Sequence, residues 1–125
     1  MSADLRAMIA DFVELFYVQR RPRAAFEKYV AADYVQHSPG LTDGPDAALQ
    51  MLEPLFGREG ARFDVKRIVV DDPFVVVHLH GRPDPALPGV AVADFYRVKD
   101  GKIVEHWDVI QPVVENRVNP RDMVA

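Results

Sequence analysis

Leu5, Met8, Ile9, Phe12, Val13, Leu15 and Phe16 recur at spacings of three and four, which predicts an amphipathic helix with one face turned to a core. Ser2 or Asp4 is the candidate cap, and the helix is expected to end near Gln19, ahead of Arg20, Arg21 and Pro22. Pro22 suits the first turn of a second, shorter helix through about Val30, with Ala25, Phe26 and Tyr29 on its apolar side. Asp33 to His37 reads as a brief extended piece entering the loop Ser38-Pro39-Gly40. A third helix follows. Asp43 or Gly44 is its candidate cap, Pro45 opens it, and Ala48, Leu49, Met51, Leu52 and Leu55 supply its apolar face. Pro54 is expected to distort or end its last turn.

From Arg62 onward the period changes from helical to alternating. Phe63 to Val70 predicts a strand, Asp71-Asp72-Pro73 a turn, and Phe74 to His80 a second strand rich in β-branched residues. Gly81 to Gly89 carries Pro83, Pro85 and Pro88 and must be a loop. Val90 to Val98 and Ile103 to Val113 are two further strands, joined by Lys99-Asp100-Gly101-Lys102, the clearest hairpin signal in the chain. From about Glu115 the tail is polar and irregular. Three helices followed by a four-stranded antiparallel sheet make an α+β fold, with the helices on one face of a curved sheet. The gap between helix and curved sheet is where a ligand would sit.

At 125 residues the chain is expected to be a single domain covering residues 1–125, large enough to bury a core without staples. A net charge of −4, with the basic residues scattered, disfavours nucleic-acid binding. No apolar run approaches the length of a membrane span, and the first residues show no signal-peptide pattern, so a cytoplasmic location without membrane contact is the expectation. The absence of cysteine removes disulfides, thiolate nucleophiles and zinc-thiolate sites. Nothing resembles a phosphate loop, and neither Ser2 nor Ser38 stands in a nucleophile elbow.

The hairpin carries the strongest candidate chemistry. If Asp100-Gly101 closes a three-residue loop with Gly101 left-handed, Val98 pairs with Lys102, Asp94 lies opposite His106, and Val92 lies opposite Asp108. Two carboxylates and an imidazole then share one face. A two-residue loop slips the register by one, so that Asp94 faces Trp107 and Asp108 faces Ala93. The first register is the expected one, because that loop form commonly puts glycine where Gly101 stands. Charged residues in an amphipathic strand usually face solvent. Here Val92, Phe95, Tyr96, Ile103, Val104, Trp107, Val109 and Ile110 make both faces largely apolar, which favours a pocket or an interface.

His78 and His80 point to the same side of one strand. A metal site would need a further ligand set and more strands than this chain supplies, so pocket-lining histidines are the expectation and no metal is assigned. His37 stands where the chain leaves its short strand. Phe12, Phe16, Tyr17, Phe26, Phe95 and Trp107 read first as core.

The run from Ala93 through Asp94-Phe95-Tyr96 and Gly101 to His106-Trp107-Asp108 resembles the C-terminal hairpin motif of SnoaL-like proteins, a branch of the NTF2-like superfamily. Tyr34-Val35-Gln36-His37-Ser38-Pro39 with its glycine loop and following helix is similar too, and the likeness extends over nearly the whole chain. The resemblance implies a cone-shaped fold enclosing a pocket for a small apolar organic ligand, with no cofactor. The superfamily holds polyketide cyclases, ketosteroid isomerases, epoxide hydrolases, dehydratases and plain ligand-binding domains. By position, Asp108 falls where the aldol cyclases of the group hold an acid/base aspartate. Asp94 falls near the protonated oxyanion-hole aspartate of ketosteroid isomerases. No carboxylate clearly replaces that isomerase's general base, whose place falls near His37.

The expected reaction is proton transfer next to a carbonyl, of the cyclase or isomerase type. Asp108 is the base, assisted by His106; Asp94, His78 or His80 donates to the enolate, and His37 orients the substrate or shuttles the proton. His78, His80, Phe16, Tyr34 and Trp107 are the candidate substrate contacts. The alternatives are a hydrolase or hydratase of the epoxide hydrolase type and a non-catalytic binding module. Arg97, the arginine nearest the acids, should face away from Asp94. A homodimer through the outer sheet face, with Val69, Phe95 and Trp107 as candidates, is compatible with all three.

Overall fold

A computed structural model describes residues 2–125, with side chains from Asp4 onward, so a cap by the Ser2 side chain lies outside what is described. The first helix, α1 (Ser2–Val13), runs into a π-helical turn, Glu14–Val18, closed by Gln19 N–H donating to the Glu14 carbonyl at 2.9 Å. The widened turn carries Phe16 and Tyr17, neighbours in sequence, into the core together. Pro22 opens α2 (Pro22–Tyr29), which buries Ala25 and Phe26. A tight cluster results, with Phe16 stacked on Phe56 at 4.7 Å between centroids and on Phe12 at 5.2 Å.

The extended piece is longer than its sequence suggests: β1 spans Val30–Gln36. Only Tyr34 of its residues is buried, so it lacks the apolar alternation that marks a strand. Gly44, with φ at 87°, takes the cap position of α3 (Pro45–Gly57). The Asp43 carboxylate is engaged elsewhere, accepting from Gln36 N–H at 2.9 Å. Pro54 does not end α3, which continues to Gly57. Both Pro54 and Gln50, whose carbonyl loses its helical donor, are exposed, so the missing bond falls on the solvent side of the helix.

Four further strands follow: β2 (Arg62–Asp71), β3 (Phe74–Arg82), β4 (Val90–Lys99) and β5 (Lys102–Pro112). The sheet therefore has five strands, in the order β1-β5-β4-β3-β2. β1 runs parallel to β5 and the other pairs are antiparallel, against the four antiparallel strands expected. The inner face packs Val75, Val77 and Leu79 of β3 against the helices, and Pro83 begins the loop to β4.

The hairpin register differs from both expectations. Lys99 pairs with Lys102 across a two-residue turn in which Asp100 and Gly101 have φ of 52° and 74°. Val98 pairs with Ile103, but Arg97 pairs with Glu105, leaving Val104 as an extra residue on β5. From there Tyr96 lies opposite His106 and Asp94 opposite Asp108. The expected partners, His106 for Asp94 and Asp108 for Val92, are each displaced by two positions. A shift of two preserves alternation, so Asp94, His106 and Asp108 still share one face.

Beyond β5, Val113 N–H donates to the Gly89 carbonyl at 3.0 Å, and the tail turns back over the sheet. Val124 is fully buried. Arg67 hydrogen-bonds both His78 Nδ1 and the Ala125 carbonyl, which places the chain end on the outer side of β2 and β3. Among the described residues no helix is long and apolar enough to cross a membrane.

Two left-handed glycines separate backbone strain from crowding. A Cβ on Gly101 (φ 74°) meets nothing within 4 Å, whereas one on Gly89 (φ 82°) lies 2.2 Å from the Gly81 carbonyl oxygen. In urea denaturation Gly101→Ala should lose about 1 kcal/mol, the cost of the dihedral alone. Gly89→Ala should lose at least about twice that, and equal losses would show that the close approach is relieved without cost.

Candidate functional site

The cone between helices and sheet holds a cavity of about 170 Å³, a little larger than an apolar void of ~150 Å³ that takes benzene. Its apolar wall comes from Phe16, Phe26, Leu52, Phe56, Phe63 and Val92. Met51, Leu55 and Ile110 line it and are also exposed, which puts them at the mouth. Pro83 brings the start of the proline-rich loop to the wall.

The remaining wall is one connected polar network. Asp94 and His106 are 9% and 8% exposed, and His106 Nε2 lies 2.9 Å from Asp94 Oδ1. Tyr17 donates to Asp94 Oδ2 at 2.6 Å and is itself bonded to the Tyr96 hydroxyl, which donates to it. His106 Nδ1 faces Gln36 Oε1 at 2.8 Å, and the same oxygen accepts from Ser38 N–H at 2.9 Å. The backbone N–H of Ser38 can only donate, so Gln36 presents its oxygen there and His106 carries a hydrogen on Nδ1. A hydrogen bond at that 2.9 Å contact needs one further proton, which His106 Nε2 and Asp94 Oδ1 would share as a pair.

Asp108 stands beside this pair. Its Oδ2 accepts from Ser38 Oγ at 2.8 Å, and Oδ1 has no hydrogen bond among the described residues. Burial above all, then the negative field of Asp94, holds the Tyr17 and Tyr96 hydroxyls far above the ordinary phenol range. Both therefore remain neutral donors throughout the working pH range.

Of the residues singled out from the sequence, Asp94, His106, Asp108, Phe16 and Tyr34 line the cavity together. Four do not, all for the same reason: strand alternation turns them to the outer face. Gln36 pairs with His106 and faces inward, so His37 faces outward, where Nε2 meets Glu105 Oε2 at 2.6 Å. The His37 ring stacks on Trp107 at 4.8 Å, and Trp107 lies outside with it. Val77 and Leu79 point inward, leaving His78 on Arg67 and His80 Nε2 on the Pro88 carbonyl at 2.7 Å. Arg97 faces outward as expected, with Nε on Glu105 Oε1 at 2.8 Å. The sequence reading missed Tyr17, Gln36 and Tyr96 as members of the wall, and Ser38 as the partner of Gln36 and Asp108 behind it. The i, i+2 spacings of Tyr34, Gln36 and Ser38, and of Asp94 and Tyr96, were a usable signal; the turn that aims Tyr17 was not.

Asp94, His106 and Asp108 can present one ligand atom each within 4.8 Å of one another. A cation there would have to displace the hydrogens that Tyr17 and the Asp94–His106 pair already direct at two of its three ligands. The donor set fits proton handling better than metal ligation.

A family described as the SnoaL-like domain matches residues 6–106. Comparison with curated proteins finds no match in sequence. Among solved structures, the chain is similar to an NTF2-like protein from Mesorhizobium loti at 22% identity and a TM-score of 0.71, covering 88% of this chain and 93% of that one. It is similar to a steroid delta-isomerase from Pseudomonas aeruginosa at 19% identity and 0.68, covering 90% and 82%. It also resembles a candidate polyketide cyclase from Acidithiobacillus ferrooxidans at 16% identity and 0.65, covering 88% and 89%. At these identities the likeness is one of fold.

The outward cluster has its own titration. The hydrogen bond from His37, and next that from Arg97, hold the Glu105 carboxyl below its ordinary value of 4.5. A depressed folded-state value stabilises the fold above the unfolded value, and that stabilisation is lost as pH falls through the folded one. Glu105→Gln should therefore flatten the acid limb of a urea-midpoint profile below about pH 5. An unchanged limb would show that the outer cluster adds nothing to stability.

Proposed function

The chain belongs to the SnoaL-like domain family, and we propose that it is a cofactor-independent acid/base enzyme that removes a proton next to the carbonyl of a small apolar compound, in the manner of an aldol cyclase or isomerase. One observation carries the reading: a carboxylate oxygen with no hydrogen-bond partner among the described residues, Asp108 Oδ1, beside a proton-sharing Asp94–His106 pair in a largely apolar cavity. Asp108 takes the α-proton as the carbon–hydrogen bond breaks, and the electron pair moves onto the carbonyl oxygen. The proton held between Asp94 and His106 lies on the same wall and meets the charge that develops there. Ser38 orients the Asp108 carboxylate, and the apolar wall orients the substrate. An epoxide hydrolase reading loses its support, since no arginine among the described residues lines the cavity and Arg97 is engaged with Glu105.

The proposal places the enzyme in the cytoplasm as a homodimer joined through the outer sheet face. Val69, Phe74, Phe95 and Val109 are exposed there beside Trp107, while the end of the tail lies at Arg67.

Solvent-deuterium incorporation into a panel of neutral cyclic and aryl ketones, read by mass spectrometry, tests the chemistry. Asp108→Asn should lower the rate about 10²- to 10⁴-fold with the fold intact. Equal incorporation by the variant, or none by the wild type into ketones shown to bind, would sink the reading. For assembly, Phe95→Asp should convert a dimer to a monomer in sedimentation velocity; a wild-type monomer at micromolar concentration rules the dimer out.

A further inference from the structure

Tyr34 marks the point of the polar wall where a hydrogen is left over. The order of donors along the wall is set by Ser38 N–H, which cannot be reversed and which faces Gln36 Oε1 at 2.9 Å. The Gln36 amide nitrogen is then turned to the Tyr34 hydroxyl at 3.0 Å, and an NH₂ group only donates. The Tyr34 oxygen accepts that bond, so its own hydrogen is directed elsewhere. Among the described residues no acceptor takes it, for the bond from Gln36 is the hydroxyl's only one. The residue is 3% exposed and lines the cavity. Burial keeps the phenol protonated, well above its ordinary range, and the nearby Asp94 and Asp108 reinforce this. A buried hydroxyl with an unused hydrogen at a cavity wall is a place for a ligand acceptor atom.

We propose that Tyr34 donates a hydrogen bond to the oxygen of an uncharged carbonyl ligand, and that Gln36 is the positioning residue that turns the Tyr34 hydrogen into the cavity. Among the described residues no lysine or arginine lines the cavity, while Asp108 and the Asp94–His106 pair do. A carboxylate or phosphate ligand would meet the Asp108 charge with no lysine or arginine to offset it, so a ketone, aldehyde or ester is the class that fits. In turnover the inference rests on the acid/base reading above: as the enolate forms, its oxygen gains charge and the bond from Tyr34 strengthens. The binding half stands without turnover.

The test is infrared spectroscopy of acetophenone, labelled at its carbonyl carbon, bound to the full chain. In the wild type the carbonyl stretch should lie below its frequency in dry alkane. Tyr34→Phe should return it to the alkane value and weaken binding about 3- to 10-fold. Gln36→Glu should do the same with the tyrosine present. Its carboxylate accepts from Ser38 N–H and His106 Nδ1, and its second oxygen captures the Tyr34 hydrogen. Benzoate should bind at least about tenfold more weakly than acetophenone. A wild-type stretch at the alkane value overturns the proposal, as does one unchanged in both variants, equal binding of benzoate, or no saturable binding of the ketone. Asp108→Asn should keep the wild-type stretch, which separates the two readings. A shifted stretch without deuterium exchange leaves this inference standing and sinks the acid/base enzyme; exchange without the shift does the reverse.

Discussion

Between Arg97 and Val98 on one strand and Glu105 and Ile103 on the other, β5 carries one residue more than its partner, and side-chain alternation reverses across it. Ile103 points into the core on one side of Val104, and His106 points into the cavity on the other. Without that extra residue, the alternation set by Ile103 would turn Glu105 and Trp107 inward and send His106 and Asp108 to solvent. The tight two-residue turn and the bulge each move the pairing by one position in the same sense, and only together do they bring Asp94 and Asp108 face to face. The polar wall, the outer cluster and the direction of every side chain on the end of β5 follow from this.

Given those directions, the wall needs a fixed polarity to be useful. Asp94 and His106 are almost fully buried, and leaving either unpaired would cost about 1–3 kcal/mol or more. Tyr17, Gln36 and the pair itself satisfy them, and Ser38 N–H decides which way the shared amide points. A backbone donor on the residue that follows β1 and His37 thereby sets the state of an imidazole on β5. The parallel pairing of β1 with β5, absent from the four-stranded reading, makes that possible.

The two faces of β5 divide the chemistry. Inward, His106 and Asp108 meet hydroxyls and an amide inside an apolar shell. Outward, Glu105 and Trp107 meet His37 and Arg97 in a partly solvated cluster. His37 lies one residue from the wall and takes no part in it, since neighbours along a strand face opposite ways. The same rule removes His78 and His80 from the cavity and binds them to Arg67 and the loop instead.

Periodicity alone determined the helices, four of the strands, the hairpin and the α+β class, because each is written in local spacing: three and four for α1, two for β3 and β4, Asp100-Gly101 for the turn. The hairpin residues also carried the family likeness, and with it Asp94, His106 and Asp108 as the candidate chemistry. Four things were decided only in three dimensions. The fifth strand is held by pairing with β5, and its own alternation is too weak to announce it. The true register came from a bulge at Val104, a valine that reads like any other strand residue. Tyr17 reaches Asp94 because a π-helical turn re-aims it, which helical spacing does not encode. The facing of His37, His78, His80 and Trp107 followed from which neighbour the core claimed. Alternation says that two residues share a side; only packing says which side is in.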